Sequence, residues 1–200
     1  MVVLNQALIG VRELILRYPQ SSHAIELATW GVITLASDTV MTVAEWGLGK
    51  LKLAPKRRPN IVSEGFYVDL QKPSWTPPNW AFPTIWIPLK CLQAVGAFAV
   101  WGAVGRRISV PSVQSFLVFI MLGDLWQNTF FRRHHVGAGM SVMVAFYASL
   151  FVAMERFWRV RPVAALLLAP TAAWVAVATA LNYRIWRLNG SEPLYPTTKP

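Results

Sequence analysis

Val136-Gly137-Ala138-Gly139-Met140-Ser141-Val142-Met143-Val144-Ala145-Phe146-Tyr147-Ala148-Ser149-Leu150-Phe151-Val152-Ala153-Met154 runs without a single charged side chain. At a helical rise of about 1.5 Å per residue it extends about 30 Å, the thickness of a bilayer's hydrocarbon core. The run is continuously apolar rather than alternating, and far longer than a barrel strand, so it reads as a membrane helix. Its neighbours repeat the pattern. Pro162 to Tyr183 is also uncharged, and Ile108 to Phe131 is interrupted only by Asp124. Asn79 to Gly105 is interrupted only by Lys90, and Ala24 to Gly49 by Glu26, Asp38 and Glu45. The expected fold is therefore an all-α membrane protein, a five-transmembrane-helix bundle.

Composition agrees. Of 200 residues, 54% are hydrophobic and 14% charged, against ~25% charged in an ordinary soluble domain. Disorder is excluded, because it needs low hydrophobicity and many charges. Cys91 is the only cysteine, so an intrachain disulfide is excluded too. The net charge of +10 comes from residues placed between the apolar runs, such as Lys50, Lys52, Lys56, Arg57 and Arg58, or Arg106-Arg107. That placement suits membrane flanks and argues against a nucleic-acid partner. With five spans, seven Lys and Arg fall on the N-terminal side and eleven on the other, with Lys90 inside the membrane. The positive-inside rule then expects a cytosolic C-terminus in a multi-pass integral membrane protein. Pro111 and Pro162 suit first-turn positions, whereas Pro170 is expected to kink the fifth span.

The N-terminal stretch, residues 1–23, differs. Leu4, Leu8, Val11 and Ile15 recur at helical spacing with Arg12 and Arg17 off the stripe. An interfacial amphipathic helix and a targeting segment both fit that pattern. Residues 24–189 form the membrane domain, and residues 190–200 a C-terminal tail.

No Ser-His-Asp arrangement, phosphate-binding glycine loop or acidic dyad appears, so no catalytic residue is assigned. Trp174, Ala178 and Leu181, at i, i+4 and i+7, share one helix face. A large plate, a small residue and a branched one make a slot for a flat ligand; ordinary helix packing yields the same pattern. Tyr183 and Arg187, with Leu181, fit the sterol-contact pattern Leu-x-Tyr-x-x-x-Arg, and an interfacial Tyr/Arg anchor fits equally. Lys90 and Asp124 fall near mid-membrane at similar depth in spans of opposite direction. Charges there are costly enough to need a partner, a cavity or water. His134-His135 reads either as an axial haem ligand or as a solvated basic turn. With no Cys or carboxylate cluster at ligand spacing, a metal site is not expected.

Gly65-Phe66-Tyr67-Val68-Asp69-Leu70-Gln71-Lys72-Pro73-Ser74-Trp75-Thr76-Pro77-Pro78-Asn79-Trp80 is a Pro- and Trp-rich segment just ahead of a span. It resembles the hallmark of the TspO/MBR translocator protein family, the peripheral-type benzodiazepine receptor family: a tyrosine, a short spacer, then Lys-Pro-x-Trp-x-Pro-Pro-x-Trp. Trp86 follows Trp80 by six, as in that family. Trp126 and Phe130-Phe131 are similar to its third-span Trp-x-x-x-Phe-Phe. Pro170 to Asn189, with Trp174, Asn182, Tyr183 and Trp186-Arg187, resembles its fifth span. The similarity covers about Phe66 to Asn189.

The resemblance implies a five-helix bundle with a central pocket that takes porphyrins, haem or sterols, with no cofactor required and with porphyrin or haem as bound ligands. It implies ligand contacts at Trp75, Trp80, Trp86 and Trp126, and at Trp174, Ala178, Leu181 and Asn182; Lys90 and Asp124 join them as intramembrane charges. Partners would be membrane lipid, a hydrophobic small molecule and a second copy in a homodimer. Four positions depart from the family: Lys90 stands where it has tyrosine, Gly123 where it has asparagine, Asn128 where it has proline, and Thr171 where it has tyrosine. The expected function is binding of flat apolar ligands for sequestration or transport. A porphyrin-degrading enzyme using pocket tryptophans, and a structural subunit that has lost the pocket, are the alternatives.

Overall fold

A computed structural model describes residues 23–35 and 66–195, and among these every regular element is helical. The elements are α1 (His23–Leu35), α2 (Phe66–Asp69), α3 (Ala81–Ala103), α4 (Pro111–Gln127), a π-helical turn (Asn128–Arg132), α5 (Val136–Val160), α6 (Pro162–Leu166) and α7 (Ala169–Leu188). Among the described residues, three helices are long and apolar enough to cross a membrane: α3, α5 and the combined Pro162–Leu188. The expected amphipathic helix, the second half of the first span and its basic flank lie outside the described residues.

The helix boundaries follow local chemistry. Pro111 and Pro162 open α4 and α6 from extended residues, Val110 and Arg161, where a missing N–H costs nothing. Pro170 acts differently from expectation. The fifth run is interrupted ahead of it, at Leu167 and Leu168, and Pro170 sits in the first turn of α7. Helix α5 continues past Met154, the expected end, to Val160. The third run also departs from a plain helix. At Asn128 the ladder widens to a π turn, with the Arg133 N–H donating to the Asn128 carbonyl at 3.0 Å.

Helix α5 is the centre of the packing and touches α4, α6 and α7, while α1 lies along α3. Aromatic pairs fill the α4–α5 seam. Phe119 stacks on Phe146 at 5.1 Å and Phe116 on Phe157 at 5.4 Å. Gly123 lies beneath the Phe146 ring, which an added Cβ would meet at 3.1 Å. Small residues let helices approach where lipid offers no hydrophobic drive. The outward faces stay apolar: Ile87, Val118, Val144, Phe151 and Val177 are exposed. Water would not tolerate so wide an apolar surface, and lipid does.

Candidate functional site

Helix α3 carries Phe82, Trp86, Lys90 and Gln93 on one face, at steps of four, four and three residues. Trp86, Lys90 and Gln93 form one wall of a cleft. Helix α4 supplies Phe119, Gly123, Asp124 and Trp126, and α5 supplies Phe146. The cleft volume is about 20 Å³, room for roughly one water. Aromatic rings and amides dominate its wall, and Lys90 and Asp124 face it together.

Three polar members of the wall are also tied to a helix behind it. Lys90 Nζ donates to the Thr34 carbonyl of α1 at 2.7 Å. Gln93 Nε2 donates to Thr171 Oγ1 of α7 at 3.1 Å, both side chains buried. The Trp126 indole N–H donates to Asn182 Oδ1 of α7 at 3.0 Å, again in the interior. Gln93 thus bonds Thr171, which stands where the resemblance implies a tyrosine.

The other expected site residues stand elsewhere. Ala178 and Leu181 are buried in the core, and Asn182 lies behind Trp126 rather than on the cleft wall. Trp174 meets Phe82 edge-on at 6.0 Å, and its buried indole N–H has no hydrogen-bond partner among the described residues. Trp75 and Trp80 are 47% and 68% exposed on the proline-rich segment. Tyr183 and Arg187 are both exposed on the outer face of α7, with Trp186 beside each ring and guanidinium. His134, at φ 60°, stacks on Phe66 at 4.4 Å, and His135 leads into α5. Among the described residues no group of His, Cys, Asp or Glu could hold a metal.

The proline-rich segment is held by its own motif. Lys72 Nζ donates to the carbonyls of Tyr67, Val68 and Leu70 at 2.6, 3.1 and 3.1 Å, closing the end of α2. A cation at a helix C-terminus is favourable. Asn189 accepts from the Gln71 N–H and donates to the Gln71 carbonyl, pinning the end of α7 to this segment. Tyr67 packs on Phe130 and Phe131. Its hydroxyl is buried with no partner among the described residues, and burial raises its pKa above the ordinary 10.0. On the adjacent side, Glu192 Oε1 accepts the Gly137 N–H at 2.8 Å and caps α5 from the tail. The tail backbone runs so near that a Cβ on Gly137 would lie 2.6 Å from the Glu192 carbonyl.

Sequence reading missed Gln93, Phe119 and Phe146 as cleft residues. Gln93 had a signal, since it continues the Trp86–Lys90 face; the two phenylalanines had none beyond hydrophobicity.

The sequence profile of the TspO/MBR family matches residues 39–187. Protein CrtK of Rhodobacter capsulatus is 39% identical over 67% of this chain and 86% of its own length. Tryptophan-rich protein TspO of Chlorobaculum tepidum is 34% identical over 62% and 79%. The translocator protein of Sus scrofa is 31% identical over 65% and 79%.

Proposed function

The chain belongs to the TspO/MBR family of membrane proteins, and from that premise we propose that it binds a flat, apolar ligand bearing a carboxylate, a tetrapyrrole such as a porphyrin or haem, in the cleft between α3, α4 and α5. The observation that carries this reading is the cleft wall itself. Trp86, Phe119, Trp126 and Phe146 give it an aromatic lining, and Lys90 adds an ammonium to that lining. Aromatic faces suit a flat conjugated ligand. An ammonium in a low-dielectric wall favours a carboxylate over the lone hydroxyl of a sterol. With room for about one water, the cleft must widen to admit such a ligand, so the reading includes a parting of α3 from α4. The names of the relatives, translocator and tryptophan-rich sensory protein, fit sequestration or movement of the ligand.

Around this site we place five spans, the first beginning with α1, with the C-terminus cytosolic. A homodimer is part of the same reading by family likeness.

Titration of the purified protein with protoporphyrin and, separately, with cholesterol tests the proposal through quenching of tryptophan fluorescence. Saturable quenching by protoporphyrin, with cholesterol at least tenfold weaker, is the expected result. Absence of quenching by either would leave a structural membrane subunit as the better description.

A further inference from the structure

Three helices converge on one buried amide. Asn182 of α7 is 2% exposed. Its Oδ1 accepts the Trp126 indole N–H of α4 at 3.0 Å, and its Nδ2 approaches the Met140 sulfur of α5 at 3.6 Å. A thioether is a weak acceptor, so the indole bond is the stronger of the two and the one that fixes geometry. Trp126 is itself buried and forms part of the cleft wall, while Asn182 does not reach it. On its other flanks the Trp126 ring is stacked on Phe130 at 5.8 Å and met edge-on by Phe131 at 5.5 Å. These contacts limit the ring's position but do not choose which edge faces the cleft. An indole has a single N–H, and in a membrane interior few acceptors are within its reach. The acceptor's place therefore sets the ring's orientation.

We propose that Asn182 is a positioning residue: it holds the Trp126 indole so that its ring, and not its N–H edge, faces the cleft, and thereby sets which flat ligands the cleft accepts. This rests on the cleft being the ligand site. Without the Oδ1 acceptor, the indole turns to find another, and the aromatic wall is lost although Asn182 never touches the ligand. The choice of Asn follows, because one amide can accept from α4 and donate toward α5 together.

The test combines protoporphyrin affinity, melting temperature and the hydrogen-bond-sensitive indole band in ultraviolet resonance Raman spectra. The Trp126→Phe spectrum identifies the Trp126 contribution by difference. Asn182→Leu should shift that contribution to the position of a weakly bonded indole. Protoporphyrin should bind about tenfold more weakly to Asn182→Leu and to Trp126→Phe, and the double variant should bind no worse than the weaker single one, as expected for residues acting as one unit. Asn182→Asp keeps the acceptor and should stay within about twofold of the parent. Should Asn182→Leu fail to fold, Asn182→Gln, which displaces the amide by one methylene, carries the same expectation. Losses that multiply in the double variant would overturn the proposal and make Asn182 an independent determinant. An unshifted indole band in Asn182→Leu would overturn it as well. Failure of the parent to bind protoporphyrin would instead remove the proposed function, and the Raman band alone would then decide whether Asn182 orients Trp126.

Discussion

The proline-rich end of the bundle and the cleft deeper within it differ in which residues build them. At the end, residues of the motifs that carry the resemblance serve the backbone. Lys72 closes α2 through three carbonyls, and Asn189 clasps Gln71 from α7. In the cleft, positions where the resemblance implied other residues line the wall or bond to it: Lys90 and Gly123 on the wall, Thr171 through Gln93. A motif can therefore be highly recognisable because it holds chain segments together, while the proposed ligand preference rests on positions the motif does not include. The tryptophans divide the same way: Trp75 and Trp80 are exposed at the end, and Trp86 and Trp126 face the cleft.

The largest effect is expected from Lys72→Met, at the proline-rich end. It leaves three carbonyls without their cationic donor, and a charge-assisted bond at a half-buried site contributes about 1–2 kcal/mol. Thermal melts in detergent should show a lower midpoint, while protoporphyrin affinity, measured below the melting range, changes by less than about twofold. A large loss of affinity without a change in melting would move the proline-rich segment from the scaffold to the site.

A smaller effect is expected at Tyr67. Its hydroxyl is buried among phenylalanines and its pKa is raised by that burial. The folded state therefore keeps the phenol proton to higher pH than the unfolded chain does. Its contribution is fully present below pH 10, the unfolded value, and is lost as pH rises above it toward the folded pKa. Tyr67→Phe should remove that alkaline loss. It should also leave neutral-pH stability unchanged or raised by up to about 1 kcal/mol, since a buried donor without an acceptor is removed. Melting curves at pH 8 and above pH 10 check both halves, and an alkaline loss that persists in Tyr67→Phe would assign it to another group.

Much of the architecture was legible because hydrophobic runs and their basic breaks report membrane helices directly. Val136–Met154 has no charge and lies inside α5. Pro170 marked a disturbance in the fifth run, but not that the break would fall two residues earlier, since that depends on how α6 packs against α3 and α5. The π turn at Asn128–Arg132 had no local signature; it is a hydrogen-bond register, and the sequence shows only an asparagine where a proline was expected. For the site, Lys90 and Asp124 were visible as charges in apolar runs and do share one cleft. The partners that hold the wall were not visible. Thr34, Thr171 and Asn182 lie 56, 78 and 56 positions away from Lys90, Gln93 and Trp126 along the chain. The slot expected at Trp174, Ala178 and Leu181 shared its pattern with ordinary helix packing, and the structure buries Ala178 and Leu181 in the core.

Under the proposed function, Lys90 makes this cleft selective for a carboxylate on a flat ligand. The most direct measurement compares protoporphyrin with its dimethyl ester, which keeps the ring and removes both negative charges, against the parent and Lys90→Met. The parent should bind the free acid about tenfold more tightly than the ester, about 1.4 kcal/mol, and Lys90→Met should bind both alike at the affinity of the ester. Equal binding of acid and ester by the parent, or a preference for the acid that survives in Lys90→Met, would contradict it.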